Sequence, residues 1–281
     1  MNYRHSFHAG NFGDVLKHVV LTLVIEHLKL KPTPFAVIDT HAGTGRYDLQ
    51  ATESARTGEY RDGIARVLAW RDPPAELAPY LAVVRAMNEA EAGRLRWYPG
   101  SPRLARALMR RGDRLFATEL HPADFAALAA EFANDRRTKT IMLDGYQALA
   151  AFVPPRERRA VVLVDPPFEV PGEFERLVEG VRAAHRRFAS GIYLLWYPIK
   201  ARAAIDQFHA ALVASGLRRI LLVELLVRTP TDEERLNGCG FIVIKPPHTL
   251  AESLARLLPS LSRVLAEDKS GTARLDWLVP E

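Results

Sequence analysis

The chain has 281 residues and a formal net charge of +5; 48% of its residues are hydrophobic and 25% are charged. This composition excludes a disordered chain, and the lack of an apolar run near ~20 residues or of a signal-peptide core excludes a membrane-spanning or secreted class. The single cysteine, Cys239, excludes an intramolecular disulfide, so we expect a soluble, cytoplasmic protein whose mild positive charge suits an anionic partner such as nucleic acid.

The first half of the chain predicts the opening of a nucleotide-binding fold. Residues 1–13 form a polar and aromatic tail, and apolar residues at helical spacing predict a helix over 14–28. Residues 35–39 predict a buried strand, which runs into a short turn that contains Gly43 and Gly45. A strand followed by a glycine turn is typical of a nucleotide-binding βα unit, although a turn without a third glycine is weak evidence alone.

The second strand of this unit, residues 114–119, comes much later than one intervening helix requires, so the chain carries an insertion. The insertion covers about residues 47–99 and forms a small helical subdomain. Its predicted helices cover residues 63–70 and 77–88. Ser101 as an N-cap then begins a helix that we expect to continue to Arg111.

Strands and helices alternate over the rest of the chain. The predicted strands are residues 140–143, 160–164, 191–196, 220–227 and 239–244, and the predicted helices are residues 122–132, 146–152, 173–187 and 201–215. The last two strands are joined by a polar loop with Asn237-Gly238, which favours a hairpin over a crossover helix. We therefore predict an α/β, Rossmann-like fold with a seven-stranded, mostly parallel sheet and helices on both faces, in one domain over residues 1–281.

Four of the predicted strands end in acidic residues, at Asp39, Glu119, Asp144 and Asp165. Because a doubly wound sheet gathers its strand ends at one crevice, we expect these carboxylates to face a common ligand. Glu119 is placed to accept hydrogen bonds from ribose hydroxyls, as the acidic residue after the second strand does in dinucleotide folds. Asp144 can accept from an adenine amino group while Gly145 donates through its backbone. The pattern predicts a nucleoside site.

The tetrapeptide Asp165-Pro166-Pro167-Phe168 follows the unbroken apolar run at 160–164, which is typical of a strand buried on both faces. The prolines have no N–H group, so they hold an extended turn with free carbonyls beside a carboxylate and an aromatic ring. This combination suits a planar substrate with an amino group: Asp165 and the Pro166 carbonyl accept its two N–H bonds, and Phe168 stacks on its ring. The four residues alone also fit a simple strand-terminating turn.

Several longer motifs give the chain a specific resemblance. They are Tyr3-Arg4-His5-Ser6-Phe7-His8-Ala9-Gly10-Asn11, Asp39-Thr40-His41-Ala42-Gly43, Tyr98-Pro99-Gly100-Ser101-Pro102, Thr118-Glu119-Leu120-His121-Pro122 and Trp196-Tyr197-Pro198. With the Asp-Pro-Pro-Phe turn and the helical insertion, they make the chain resemble the 23S ribosomal RNA adenine-N6 methyltransferase J family, of the S-adenosylmethionine-dependent class I methyltransferases, over essentially its full length. The incomplete glycine fingerprint and the returning hairpin argue against a nicotinamide dehydrogenase.

The resemblance implies a reaction and a set of site residues. The implied reaction is the transfer of a methyl group from S-adenosylmethionine to N6 of a flipped adenine, adenine 2030 of 23S ribosomal RNA, by a monomer and without a metal. The implied cofactor-binding residues are His18, His41, Ser101, Glu119, Asp144, Gly145 and Asp165, the implied contacts to substrate RNA are Tyr3, Pro166 and Phe168, and Lys17 is a candidate ligand of the methionine carboxylate. Asp165 is the implied catalytic residue. Phe168 stands where the family frequently has tyrosine, so the stacking face is kept and a phenolic hydroxyl is lost.

The sequence leaves other interpretations open. A guanine-N2 RNA methyltransferase and a DNA adenine-N6 methyltransferase would use the same Pro-Pro-aromatic motif to bind an exocyclic amine. A non-catalytic RNA-binding protein would keep only the fold. A metal site at the histidines is less favoured than hydrogen-bonding or capping roles, because no cysteines accompany them. These histidines are His5, His8, His18 and His41. Arginine clusters at 103–111, 136–137, 156–159 and 186–187 are either contacts to RNA phosphates or solvated faces.

Overall fold

The computed structural model describes residues 4–280, over which strands and helices alternate; the predicted RNA contact Tyr3 lies outside them. The strands are β1 (Ala36–Asp39), β2 (Arg46–Asp48), β3 (Trp97–Pro99), β4 (Arg114–Glu119), β5 (Thr138–Met142), β6 (Ala160–Val164), β7 (Ile192–Ile199), β8 (Ile220–Leu226), β9 (Gly238–Ile244) and β10 (Thr272–Val279). The α-helices are α1 (Phe12–Lys29), α2 (Thr52–Thr57), α3 (Ile64–Ala69), α4 (Ala78–Met87), α5 (Ser101–Leu108), α6 (Pro122–Glu131), α7 (Gly145–Phe152), α8 (Glu173–Arg187), α9 (Arg202–Ala214) and α10 (Leu250–Leu265).

An eight-stranded sheet, in the order β10-β8-β9-β7-β6-β1-β4-β5, forms the centre of the fold. β5, β4, β1, β6 and β7 pair in parallel, whereas β9 is antiparallel to both β7 and β8. The predicted α/β fold with a mostly parallel sheet is confirmed. The predicted count of seven strands is wrong, because β10 pairs with β8 as an additional edge strand. An edge strand is partly exposed, so β10 carries Arg274 and Asp276 in place of the apolar run that marks the inner strands.

Hydrophobic layers cover both faces of the sheet. Residues of α1, α5, α6 and α10 form one layer, and residues of α7, α8 and α9 form the other. All of β6 is buried, with Val161 and Leu163 in the first layer and Val162 and Val164 in the second, which explains its unbroken apolar sequence. Because β1 lies between β4 and β6, the polar ends of these three strands come side by side. Within residues 4–280, no helix is both long and apolar enough to cross a membrane.

The residues between β1 and α5 form the helices α2, α3 and α4, and a separate antiparallel ribbon of β2 and β3. The N-terminal segment lies against α2. Ser54 Oγ donates to the carbonyl of Ser6 at 2.7 Å, and Thr57 Oγ1 donates to the carbonyl of Phe7. The insertion therefore holds the polar tail near the carboxyl edge of the sheet, where α1 begins.

Asp14 lies near the start of α1 as predicted, whereas the predicted N-cap and end of α5 are wrong. Asn11 caps α1, because its Oδ1 accepts from the backbone N–H of Asp14 at 3.0 Å, so Asp14 lies in the first turn. Gly100 precedes α5, so Ser101 is its first helical residue, and the helix ends before Arg111. Because Ser101 does not cap its own helix, its hydroxyl is available to another partner.

Candidate active site

The turn after β6 brings a carboxylate, a carbonyl and aromatic rings together. The Asp165 side chain is 14% exposed, and Pro166 is buried. Phe168 has a φ of 52°, a left-handed conformation that bulky residues rarely adopt, so the surrounding structure holds this turn in place. Its ring centroid lies 4.9 Å from that of Phe174 and 6.1 Å from that of Trp196. These three rings form an aromatic wall, to which sequence reasoning assigned Phe168 but neither Phe174 nor Trp196.

Lys17 is paired with the predicted catalytic carboxylate. Its Nζ lies 2.7 Å from Asp165 Oδ2 and 2.7 Å from Asp14 Oδ1, and its side chain is 6% exposed. Burial would lower the pKa of Lys17, but the charges of Asp14 and Asp165 outweigh it and hold that pKa well above its ordinary value. Two of its three donors serve carboxylates of the chain, so one donor remains for a methionine carboxylate, and the predicted role of Lys17 as its ligand stays a prediction.

Asp14 connects the N-terminal segment to the same charge cluster. Its Oδ2 accepts from the N–H of Gly10 at 2.9 Å and lies 2.9 Å from His5 Nε2. Burial would raise the pKa of Asp14, but His5 and Lys17 outweigh it and hold that pKa well below its ordinary value. A continuous chain of contacts thus runs from His5 through Asp14 and Lys17 to Asp165.

The turn after β1 begins with a buried carboxylate, Asp39. The residue is 1% exposed; its Oδ1 accepts from the N–H of His41 at 3.3 Å, and its Oδ2 has no hydrogen-bond partner among the described residues. Burial raises the pKa of Asp39 to about 6, although the Ser101 hydroxyl and the Lys17 ammonium oppose the rise. Burial also lowers the pKa of His41 to about 4, so its ring is neutral near pH 7. The structure therefore brings Ser101 and His41 to one carboxylate.

Glu119 is held in place by the glycine turn. Its Oε2 accepts from the N–H of Gly43 at 2.9 Å, and its Oε1 accepts from the N–H of His121 at 2.8 Å. Carboxylate oxygens accept more than one hydrogen bond each, so acceptor capacity remains for ligand hydroxyls. Gly43 has a φ of +58°, and a Cβ at this position would lie 2.2 Å from Tyr47 Oη. Only glycine therefore fits the turn that positions Glu119.

Asp144 and Gly145 form the beginning of α7. Asp144 caps the helix, because its Oδ1 accepts from the N–H of Tyr146 at 3.0 Å, and its Oδ2 lies 3.7 Å from the Arg176 guanidinium. Gly145 is the first helical residue, so its N–H has no partner within the helix. A Cβ at Gly145 would lie 2.4 Å from the His41 ring. This close approach joins the ends of β1 and β5, while the capping role of Asp144 is one that the strand-end pattern does not reveal.

His18 lies deeper than the other predicted cofactor residues. It has no exposed surface, and its Nδ1 is 2.7 Å from Tyr98 Oη, which is 2.9 Å from Tyr80 Oη. Burial lowers the pKa of His18 to about 3, so the ring is neutral. Its Nε2 has no hydrogen-bond partner among residues 4–280, so this nitrogen is the atom available to a ligand.

Hydrogen-bonding roles are present at two further histidines considered for a metal site. His5 Nε2 lies 2.9 Å from Asp14 Oδ2, and His8 Nδ1 lies 2.9 Å from Glu59 Oε1. In the described part of the chain, no group of three or more histidine, cysteine, aspartate or glutamate side chains is arranged to hold a metal ion. His5 and His8 connect the N-terminal segment to α1 and to the insertion.

Known proteins match this chain in sequence and in structure. The sequence profile of the family described as "Ribosomal RNA large subunit methyltransferase D, RlmJ" matches residues 32–279. The chain is 46% identical to the ribosomal RNA large subunit methyltransferase J of Escherichia coli (strain K12) and 41% identical to the protein of the same name from Haemophilus influenzae, with 100% of both chains covered in each case. A crystal structure of a Legionella pneumophila protein is similar with a TM-score of 0.88 and 31% identity, covering 96% of this chain and 98% of that chain.

Proposed function

The chain belongs to the ribosomal RNA large subunit methyltransferase family described as RlmJ, and from this premise we propose that it methylates N6 of adenine 2030 in 23S ribosomal RNA with S-adenosylmethionine as methyl donor. One observation carries the choice of an exocyclic amine: the Asp165 carboxylate and the Pro166 carbonyl lie at the end of β6 beside the aromatic wall. Both groups accept hydrogen bonds and the Phe168 ring offers an apolar face, which together match an aromatic amine. We place this activity in the cytoplasm, in a monomer with one catalytic domain.

The residues around the glycine turn fit the proposed cofactor. When bound, S-adenosylmethionine supplies a methyl group on a positively charged sulfonium. The unpartnered Oδ2 of Asp39 is a buried acceptor whose negative charge a cationic ligand would stabilise. Glu119 retains acceptor capacity for ribose hydroxyls, and the free N–H of Gly145 suits a nitrogen of an adenine ring. The other proposed cofactor contacts are His18 through Nε2, His41, Ser101, Asp144 and Asp165.

Asp165 and Pro166 would activate the substrate nitrogen. The N6 lone pair of adenine is delocalised into the ring, so the nitrogen is a poor nucleophile until its N–H bonds are drawn out of the ring plane. The Asp165 carboxylate and the Pro166 carbonyl accept these two N–H bonds, which directs the lone pair towards the methyl group. Asp165 then receives the proton that the nitrogen releases. Positioning and fixed charges supply most of the acceleration in this account.

Lys17 orients the catalytic carboxylate. Its ammonium lies 2.7 Å from Asp165 Oδ2, which fixes that oxygen and leaves Oδ1 for the amine. The same ammonium is bound to Asp14, so its position is set on both sides. Because the lysine side chain is 6% exposed, water screens this interaction little.

The target base must leave its stack to reach Asp165, because the side chain of this residue is largely buried at the end of β6. An extruded adenine would pack against the aromatic wall, a contact worth about 1 to 3 kcal/mol per base. We propose that Phe168 stacks on the ring and that Tyr3, in the N-terminal tail, contacts the RNA. The phenolic hydroxyl that is absent at Phe168 has no role in this mechanism.

The proposal is tested by nucleoside mass spectrometry of ribosomal RNA from a strain of the source organism that lacks this gene. We expect N6-methyladenosine to disappear from one position of 23S ribosomal RNA, and to return when the wild-type gene is restored. An unchanged N6-methyladenosine content would contradict the proposal. Loss of N2-methylguanosine, or of N6-methyladenine in DNA, would show that the Asp165 carboxylate and the Pro166 carbonyl bind a different amine. Methylation restored by a gene that encodes Asp165→Ala would refute the catalytic role of Asp165.

A further inference from the structure

We propose that a cation–aromatic patch on the face of the sheet covered by α7 binds RNA phosphates away from the target base; this inference rests on the proposed function. The patch consists of Arg114, Phe116, Lys139, Phe152 and Arg187. It lies at the amino ends of β4 and β5, near the C-terminal end of α7, whereas Asp144 lies at the N-terminal end of that helix. The patch would anchor the RNA that flanks the modified nucleotide.

The structure separates the arginine clusters of the sequence into paired and unpaired groups. Carboxylates neutralise most of the first two clusters. The pairs are Arg103 with Glu131 at 3.4 Å, Arg110 with Asp113 at 3.0 Å, Arg137 with Asp135 at 3.4 Å, and Arg106 with Asp135. Cations held by carboxylates of the same chain are poor phosphate ligands, because a phosphate would have to replace an existing partner. Cations that lie outside such ion pairs are therefore the stronger candidates for RNA contacts.

Direct contacts join four side chains of the patch, and the fifth, Arg187, is bound to α7. Phe116 and Phe152 stack with ring centroids 5.2 Å apart and an interplanar angle of 26°. The Arg114 guanidinium lies 5.3 Å from the Phe116 ring, and Lys139 Nζ lies 5.9 Å from the Phe152 ring. Arg187 donates to the carbonyl of Ala150 in the last turn of α7. The rings form a rigid apolar floor along which the cations lie.

The charges of the patch are available to an anion. Lys139 and Arg187 are exposed, and neither has a carboxylate within ion-pair distance among residues 4–280. Arg114 has one distant partner, Glu157, at 3.9 Å. Arg187 uses one N–H on the Ala150 carbonyl, and a guanidinium has five, so donors remain for phosphate oxygens. Lys139 and Arg187 are therefore the unpaired cations of the patch, and cations spaced along a rigid floor match the spaced charges of a nucleic-acid backbone.

The position of the patch predicts which phosphates it contacts. From Asp144 to Phe152 the chain runs along α7 for about 12 Å, at ~1.5 Å per residue. From β6, where the target base binds, to β5 there are three strand spacings of ~4.8 Å, or about 14 Å. The resulting separation of about 18 Å corresponds to roughly five nucleotides at ~3.4 Å each along a stacked strand. The contacted phosphates thus lie in flanking RNA and not in the target nucleotide.

A charge-reversal experiment tests the patch. The test variant is Lys139→Glu with Arg187→Glu, and the matched control is Arg263→Glu with Lys269→Glu. Both control residues are exposed cations: Arg263 lies within α10 and Lys269 follows it. This helix packs on the opposite face of the sheet. The substitutions change the net charge equally in the two proteins. Lys139→Ala, which removes no hydrogen bond of the fold, provides a second variant if loss of the Arg187 bond to α7 impairs folding.

Two quantities are measured: the KM of methyl transfer for RNA, and the salt dependence of RNA binding. One substrate is a long fragment of 23S ribosomal RNA. The other is a short RNA with about two nucleotides on each side of the target, which cannot span the separation of roughly five nucleotides. We expect the test variant to raise the KM for the long RNA on the order of tenfold and to reduce the salt slope by about one for each lost contact. Its kcat, its affinity for S-adenosylmethionine and its KM for the short RNA should equal those of the wild type.

An equal loss of long-RNA binding in the test and control variants would overturn the inference, because it would show a general effect of charge. A raised KM for the short RNA would also overturn it, because the patch cannot reach that RNA. Failure of the proposed function is distinguishable from both results: the wild-type protein itself would then transfer no methyl group to ribosomal RNA.

Discussion

Replacement of Lys17 by methionine removes the positive charge that lies between two buried carboxylates and retains most of the side-chain volume. Because the Lys17 and Asp14 side chains are 6% and 2% exposed and that of Asp165 is 14% exposed, water cannot compensate for the lost charge. Breaking a buried pair in this way costs about 3 to 5 kcal/mol of the free energy of unfolding. At an m-value of about 3 kcal/mol per molar, the midpoint of urea unfolding should fall by about 1 to 1.7 M.

The same helix offers a matched control. Lys29 pairs with Glu26 at 2.6 Å, but these side chains are 29% and 34% exposed, so Lys29→Met should cost at most about 1 kcal/mol. The deficit of Lys17→Met should also depend on pH. The lowered pKa of Asp14 contributes stability above an unfolded-state pKa of ~3.9, and this contribution is lost as the pH falls through the folded-state value. The deficit of Lys17→Met relative to the wild type should therefore be constant above about pH 4 and shrink progressively as the pH falls below it. Equal midpoints for the two variants at pH 7, or a deficit independent of pH, would refute the reasoning.

Three further predictions concern the cofactor and base sites. Gly145→Ala places a Cβ 2.4 Å from the His41 ring, so it should lower the free energy of unfolding by about 1 to 3 kcal/mol and remove most of the cofactor affinity, as measured by calorimetry. In the control Gly112→Ala, the new Cβ would meet its nearest neighbour at 3.6 Å, so neither quantity should change. Asp39 has a folded-state pKa of about 6, above its unfolded value, so the wild type loses stability as the pH rises from about 4 to 6. Asp39→Asn should remove this loss and weaken cofactor binding. An unchanged dependence of stability on pH would contradict the assignment. Phe168→Tyr should leave kcat and KM nearly unchanged, because only the ring is used; a large change in kcat would show that the hydroxyl matters.

The strand ends of the site could be predicted because they depend on local chemistry. A parallel strand covered on both faces must be apolar at every position, so residues 160–164 identify β6 without tertiary information. The acidic residues at the carboxyl ends of β1, β4 and β6 then have to meet at one edge of the sheet. Glu119 and Asp165 were placed in this way. The glycine requirement at Gly145 follows only from the observed approach of His41.

The partners of these residues could not be predicted, because they are set by packing between distant parts of the chain. Lys17 and Asp165 are 148 residues apart, and their contact depends on how α1 lies against β6. Trp196 reaches Phe168 only because β7 pairs with β6 in a particular register. β10 was missed for a different reason: an edge strand exposes part of its surface, so its apolar residues are too few to form a distinctive run.

The catalytic role of Asp165 is tested most directly by methyl transfer with purified protein, S-adenosylmethionine and an unmodified 23S ribosomal RNA transcript, followed by mass spectrometry of the digested nucleosides. The account predicts N6-methyladenosine at a single position with the wild-type protein, none with Asp165→Ala, and a far lower rate with Asp165→Asn than with Phe168→Tyr, while RNA affinity is largely retained in all three variants. Methylation by Asp165→Ala at the wild-type rate, or equal rates for Asp165→Asn and Phe168→Tyr, would contradict it.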